Sequence, residues 1–129
     1  MINDFDITEI ENDVIAIIRN LGVSKKVYAN RPKEAASASD FVVVSTLNGV
    51  EDLFTYGQCV IRVNLFAKDI DSIKNGKKLS VMYQKLRSGF PASKGRLLFD
   101  MEWNILGDTP DDFGFHVRMI RIKTTIKAI

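Results

Sequence analysis

A catalytic or metal-binding site needs acids, bases or nucleophiles that converge, and this sequence offers few. His116 is the only histidine and Cys59 the only cysteine. A zinc site built on them would have to be completed by carboxylates, whereas zinc prefers nitrogen and sulfur donors. His116 falls inside a strand-like stretch and reads as a surface or packing residue. Cys59 has no activating partner close by in sequence, so it reads as a buried structural thiol. A lone cysteine excludes an internal disulfide and fits a reducing compartment. Asp111-Asp112 could form a metal-binding pair, but in GDTPDDFG they suit turn positions, where aspartate is favoured. No glycines take the spacing of a phosphate-binding loop, in either the dinucleotide or the nucleotide-triphosphate form. The expectation is a chain with no catalytic residue, cofactor, metal or small-molecule substrate, and hence not an enzyme.

What remains is charge on surfaces. Lys77, Lys78, Lys85, Arg87, Lys94 and Arg96 lie on or after a predicted helix, and Arg118, Arg121, Lys123 and Lys127 run along the last predicted strand. Such a set could track a phosphate backbone. Yet the PASKGR loop carries no aromatic residue to stack a base, a solvated helix face looks the same, and the net charge is only +2. The first thirteen residues hold Asp4, Asp6, Glu9, Glu11 and Asp13 with no base, and the last fourteen hold four bases with no acid. In one reading the acids serve a helix start and the bases pair with Asp100 and Glu102 across a hairpin. In the other, two complementary surfaces join copies head to tail, a heterologous contact that closes into a ring when the rotation allows.

Hydrophobic periodicity supplies the elements that would position these groups. Ile7, Ile10, Val14, Ile17, Ile18 and Leu21 form one helical stripe. Thr8 and Glu11 offer a capping box, with Asp6 as a competing cap, and Gly22 offers a stop. Strands are predicted at Lys26–Asn30, Phe41–Leu47 and Tyr56–Ala67. The second is a continuous apolar run, expected where both faces are covered. The third alternates Ile61, Val63 and Leu65 with Arg62 and Asn64. The NGVEDLFTYG link suggests a protruding hairpin arm or loop. A second helix is expected from Ile70 to Ser88, capped by Asp69 or Asp71 and ended by Gly89 and Pro91. A closing hairpin pairs Leu97–Ile105 with FHVRMIRIKTTIKAI. The alternation of that last segment changes phase near Met119-Ile120, which predicts a bulge.

The order helix-strand-strand-strand-helix-strand-strand predicts one α+β domain over residues 1–129: a mostly antiparallel five-stranded sheet with two helices packed on one face. The acidic start is unlike a signal peptide, and no apolar run approaches the roughly 20 residues of a membrane span. The chain therefore reads as soluble and cytoplasmic.

This order, with several short motifs, resembles the tail-completion and tail-terminator (head–tail joining) proteins of long-tailed bacteriophages and prophages. The motifs are the Tyr28-Ala29-Asn30-Arg31-Pro32 step, the Phe41–Val44 strand, and Leu65-Phe66-Ala67 leading into a helix that opens with Asp. The resemblance implies a non-enzymatic structural protein that forms a ring, commonly of six subunits, at the head-proximal end of a tail tube. Its partners would be itself, the tube and the head connector, first in the host cytoplasm and then in the virion tail. The small-residue loop 31–39 would order against a neighbour only on assembly. Interface residues would come from Asp4, Asp6, Glu9, Glu11, Asp13, Arg31, Pro32, Leu53, Phe54, Arg118, Arg121 and Lys123. Basic residues could line a lumen that passes DNA without base readout, although electronegative lumens suit DNA transit equally. The alternative is a small nucleic-acid-binding α+β module that uses the basic second helix and the C-terminal strand.

Overall fold

A computed structural model describes residues 6–29, 38–47, 49–53, 56–102 and 107–127. Asp4, Arg31, Pro32, Phe54, most of the 31–39 loop and the Trp103–Ile105 end of the predicted hairpin strand lie outside the described residues.

The apolar stripe of the first segment folds as helix α1, Ile7–Leu21, with Ile10, Val14, Ile15 and Ile18 buried. Asp6 is the cap: its side chain accepts from the Thr8 N–H at 3.1 Å, and its carbonyl accepts from the Ile10 N–H at 3.1 Å. Thr8 therefore lies inside the helix, and the predicted capping box does not form. Gly22 ends α1 at φ 69°, a left-handed position that costs glycine little.

Helix α2 spans Gly76–Arg87 and so starts six residues later than predicted. The physical cause is a tight turn at 70–73. Ile70 and Ile73 exchange two backbone hydrogen bonds of 2.9 Å, and Asp71 and Ser72 between them take φ of 52° and 65°. Positive φ at both central residues is the signature of a type I′ turn, incompatible with a helix. The cap is accordingly Asn75, which accepts from the Lys78 N–H at 3.2 Å, and not Asp69 or Asp71.

All five predicted strands form: β1 (Val27–Tyr28), β2 (Asp40–Thr46), β4 (Tyr56–Lys68), β6 (Leu97–Met101) and β8 (Phe115–Lys127). Three short strands join them: β3 (Glu51–Asp52), β5 (Ala92–Lys94) and β7 (Thr109–Pro110). The sheet order is β1-β2-β4-β8-β6-β5, with β3 pairing to β4 and β7 to β8. The sheet is mixed, because β1 runs parallel to β2 while every other pairing is antiparallel. The five-stranded expectation thus undercounts: two-residue strands give too short a pattern to read, and β5 occupies the predicted PASKGR loop. The expected arm at 48–57 is in part the β3–β4 hairpin, where the Leu53 N–H donates to the Tyr56 carbonyl at 2.8 Å.

Both helices pack on one face of the sheet. Their buried residues share a single core with Val42 and Val44 of β2, Ile61, Val63 and Leu65 of β4, Phe99 of β6, and Ile120, Ile122 and Ile126 of β8. The other face carries a smaller core of Ala38, Phe41, Phe66 and Phe115. The Phe41 and Phe66 rings stack at 4.3 Å and 9°, and Phe115 meets Phe41 edge-on at 5.2 Å. This second core explains β2, whose unbroken apolar run buries alternate residues on both faces.

It also removes the predicted bulge. The β4–β8 register runs without interruption from Tyr56↔Lys127 to Lys68↔Phe115. The phase change near Met119-Ile120 arises because the first half of β8 buries Phe115 under the second core, whereas its second half buries Ile120, Ile122 and Ile126 under the helices.

Candidate interaction surfaces

Side chains alternate across a strand, so the pairing register decides which charges share a face. On the face that no described helix covers, Arg62 of β4 stands directly opposite Arg121 of β8, with Ser45 of β2 on its other side. Like charges directly opposite each other are destabilising unless an anion answers them. Lys123 lies one row along, opposite Val60 on β4 and Asp100 on β6. Asp100 stands in register with Lys123, and the Glu102 N–H donates to the Arg121 carbonyl at 3.0 Å, so both acids of the predicted cross-hairpin pairing lie beside bases of β8. Arg121 and Lys123 are exposed, and Arg62 is half-buried. The buried Arg62 Nε and the buried Asn64 Oδ1 find no hydrogen-bond partner among the described residues. A buried donor left unmade is costly, so both atoms mark a place where a further group could be accepted.

Arg118 belongs elsewhere. Its even position turns it to the helix side, where it donates Nε and Nη2 to the two Asp108 oxygens at 2.7 and 2.9 Å. It also lies 5.6 Å from the Tyr83 ring centre, and Lys74 reaches the same carboxylate at 3.3 Å. The Arg118 hydrogen bonds hold the Asp108 carboxyl below the usual carboxylate range, against the opposing effect of burial. Grouping Arg118 with Arg121 and Lys123 as one basic surface is therefore corrected: it is spent inside an ion cluster on the other face.

The α1 acids divide similarly. Asp6 caps its helix, Glu11 accepts from the Thr46 hydroxyl at 2.6 Å, and Asp13 forms an ion pair with Lys94. Glu9 is exposed in the first turn. Because α1 packs on the helix-bearing side, these acids and the Arg121–Lys123 row occupy opposite layers of the molecule. Leu53 is half-buried in the β3–β4 hairpin, apart from both.

The remaining candidates are structural in place. His116 Nδ1 lies 2.7 Å from Asp69 Oδ1, which ties the start of β8 to the turn after β4. The Asp69 N–H also donates to the Gly114 carbonyl at 2.9 Å. Asp111 accepts from the Phe113 and Phe115 N–H groups at 2.8 and 2.9 Å, which is the turn role read for it above. Cys59 is buried opposite Thr124, and burial pushes its thiol pKa up, with the Thr124 hydroxyl partly offsetting this and the Glu11 carboxylate adding to it. Among the described residues no three His, Cys, Asp or Glu side chains gather as a metal site.

One surface had no clear sequence signal. The two turns pinned together by Asp69 present Ile70, Ile73 and Phe113 to solvent, with relative exposures of 60, 69 and 67%. Only the type I′ turn, unread in the sequence, brings the two isoleucines outward. Among the described residues no helix is long and apolar enough to cross a membrane. Comparison of the chain with protein-family models gives no match, and comparison with curated proteins gives none either.

Proposed function

We propose that this protein is a structural, non-enzymatic subunit that assembles with copies of itself into a ring, in the manner of the tail-completion proteins its sequence resembles. The observation that carries the proposal is the helix-free face of the sheet. There Arg62 and Arg121 oppose each other; Asp100 of β6 and Glu102 just after it stand beside Lys123 and Arg121, but the buried Arg62 Nε has no partner among the described residues. A carboxylate from a neighbouring copy would answer the Arg62 guanidinium. The exposed Glu9 and the outer edge of α1 lie on the other layer, as a heterologous contact requires. The Ile70–Ile73–Phe113 patch is the surface offered to a tail-tube or head-connector protein.

The nucleic-acid module based on α2 and the last strand has less support. Lys78 pairs with Asp40, Lys94 with Asp13 and Arg118 with Asp108, so much of its charge is already answered.

Light scattering over a concentration series at low and high salt, with negative-stain imaging, tests the ring. The expected result is a closed oligomer that salt weakens and that Arg121→Glu with Lys123→Glu breaks, while both proteins melt at similar temperatures. A closed oligomer indifferent to the two substitutions would refute the assignment of this face.

A further inference from the structure

We infer that the protein carries a binding cleft for the phosphate backbone of nucleic acid, built from the turn after α1 and the adjoining side of α2 and distinct from the last strand. The cleft, about 600 Å³, lies where the turn after α1 meets the start of β2 and the side of α2. Lys25 and Lys26 come from the turn and Lys78 and Lys85 from the helix, with Asp40 the one acid among the described lining residues. Both Asp40 oxygens are already occupied: Oδ1 by the Ser24 hydroxyl, and Oδ2 by the Ser39 hydroxyl at 3.2 Å and Lys78 Nζ at 3.3 Å. Asp40 answers Lys78, so Lys25, Lys26 and Lys85 are left to make the cleft positive, the last also donating to the Gly22 carbonyl at 3.4 Å. A second hollow of about 380 Å³ adjoins it through Ser39 and Lys78 and adds Lys68 with Asp69, whose charges offset, and the exposed Ile70, so the positive charge is concentrated in the first cleft.

The composition favours nucleic acid over an acidic protein. A protein partner needs apolar or aromatic anchors in desolvated pockets. Here the described apolar lining residues, Val23 and Ala38, are small and themselves buried. A phosphate backbone needs only closely spaced cations, and lysines serve as its point charges. Lys25 and Lys26 on the turn and Lys85 on the helix spread the charge along the cleft, which fits a polymer better than one small anion, and the absence of a stacking side chain among the described cleft residues predicts binding without sequence preference. This site goes beyond the ring and does not depend on it.

The test is fluorescence anisotropy with a labelled 20-base-pair duplex from 50 to 200 mM salt. Three phosphates neutralised, by Lys25, Lys26 and Lys85, give a slope of log affinity against log salt of about −2.7, a roughly fortyfold loss over that range. Lys25→Glu with Lys26→Glu, both exposed, should make the slope about two units shallower and lower the affinity at every salt concentration. Should that variant melt early, Lys25→Gln with Lys26→Gln takes its place, with the same change in slope. The cleft assignment is overturned if the wild-type slope is shallower than about one unit, or if these variants bind as the wild type does. Polyglutamate competing as well as unlabelled duplex would overturn the choice of nucleic acid. The same variants are weighed by light scattering. Loss of duplex binding with assembly intact is the expected pairing, whereas Arg121→Glu should break assembly and spare duplex binding.

Discussion

Removing the Asp108 carboxylate strands Arg118, and the cost follows from the geometry. Asp108 is 4% exposed and receives two charge-assisted hydrogen bonds from Arg118, which is itself 23% exposed. Breaking a fully buried pair costs about 3–5 kcal/mol. Partial exposure lets water reach the guanidinium and the Tyr83 ring still lies beside it, so Asp108→Ala should cost about 2–3 kcal/mol. Lys74, 45% exposed, adds little. At about 2.1 cal/mol/K of unfolding entropy per residue, a chain of 129 residues loses roughly 0.27 kcal/mol per degree, so the melting temperature should fall by about 7–11 °C at pH 7. The folded pKa of Asp108 is depressed. Its contribution is therefore complete above the unfolded value of about 3.9 and is lost as pH falls through the folded one. Calorimetry at pH 7 and at pH 2–3 should show the gap between wild type and variant closing in acid. A cost below about 0.5 kcal/mol at pH 7, or a gap that persists unchanged in acid, would refute the claim that this ion cluster stabilises the sheet–helix junction.

Two further outcomes test the second core and the buried thiol. Phe41→Ala removes the ring that touches both Phe66 and Phe115, and should cost about 3–5 kcal/mol in urea unfolding; a loss near 1 kcal/mol, the cost of an ordinary substitution, would mean that the helix-free face contributes little to folding. Cys59 is buried with its pKa raised, so a thiol reagent at pH 8 should leave it unmodified in the native protein and react fully in denaturant. Rapid native labelling would contradict its placement in the core between the sheet and the helices.

Much of the architecture was written in residue periodicity. The 3.6-residue stripe of α1, the alternation of β4 and the apolar run of β2 each survive folding because local backbone geometry dictates which side chains share a face. The start of α2 is hidden from the sequence pattern because Asp71 and Ser72, neither of them glycine, take the left-handed conformation that closes the Ile70–Ile73 turn. A change of phase within one strand looks the same in sequence whether the backbone slips or the buried face changes, and in β8 only the register with β4 separates the two.

The candidate surfaces were less legible still. Sequence alone determined the charge inventory, the scarcity of catalytic groups and the amphipathic elements, since these are properties of residue type and short-range spacing. Tertiary structure decided which charges are spent and which remain. Asp13 meets Lys94 across 81 positions, Glu11 meets Thr46 across 35, and Lys25 and Lys26 join Lys78 and Lys85 only because α2 crosses the turn after α1. Coulombic and hydrogen-bonding interactions act over a few ångströms of space, whatever the separation along the chain, so a string of residues cannot show which acid will find which base until the strands are paired and the helices laid down.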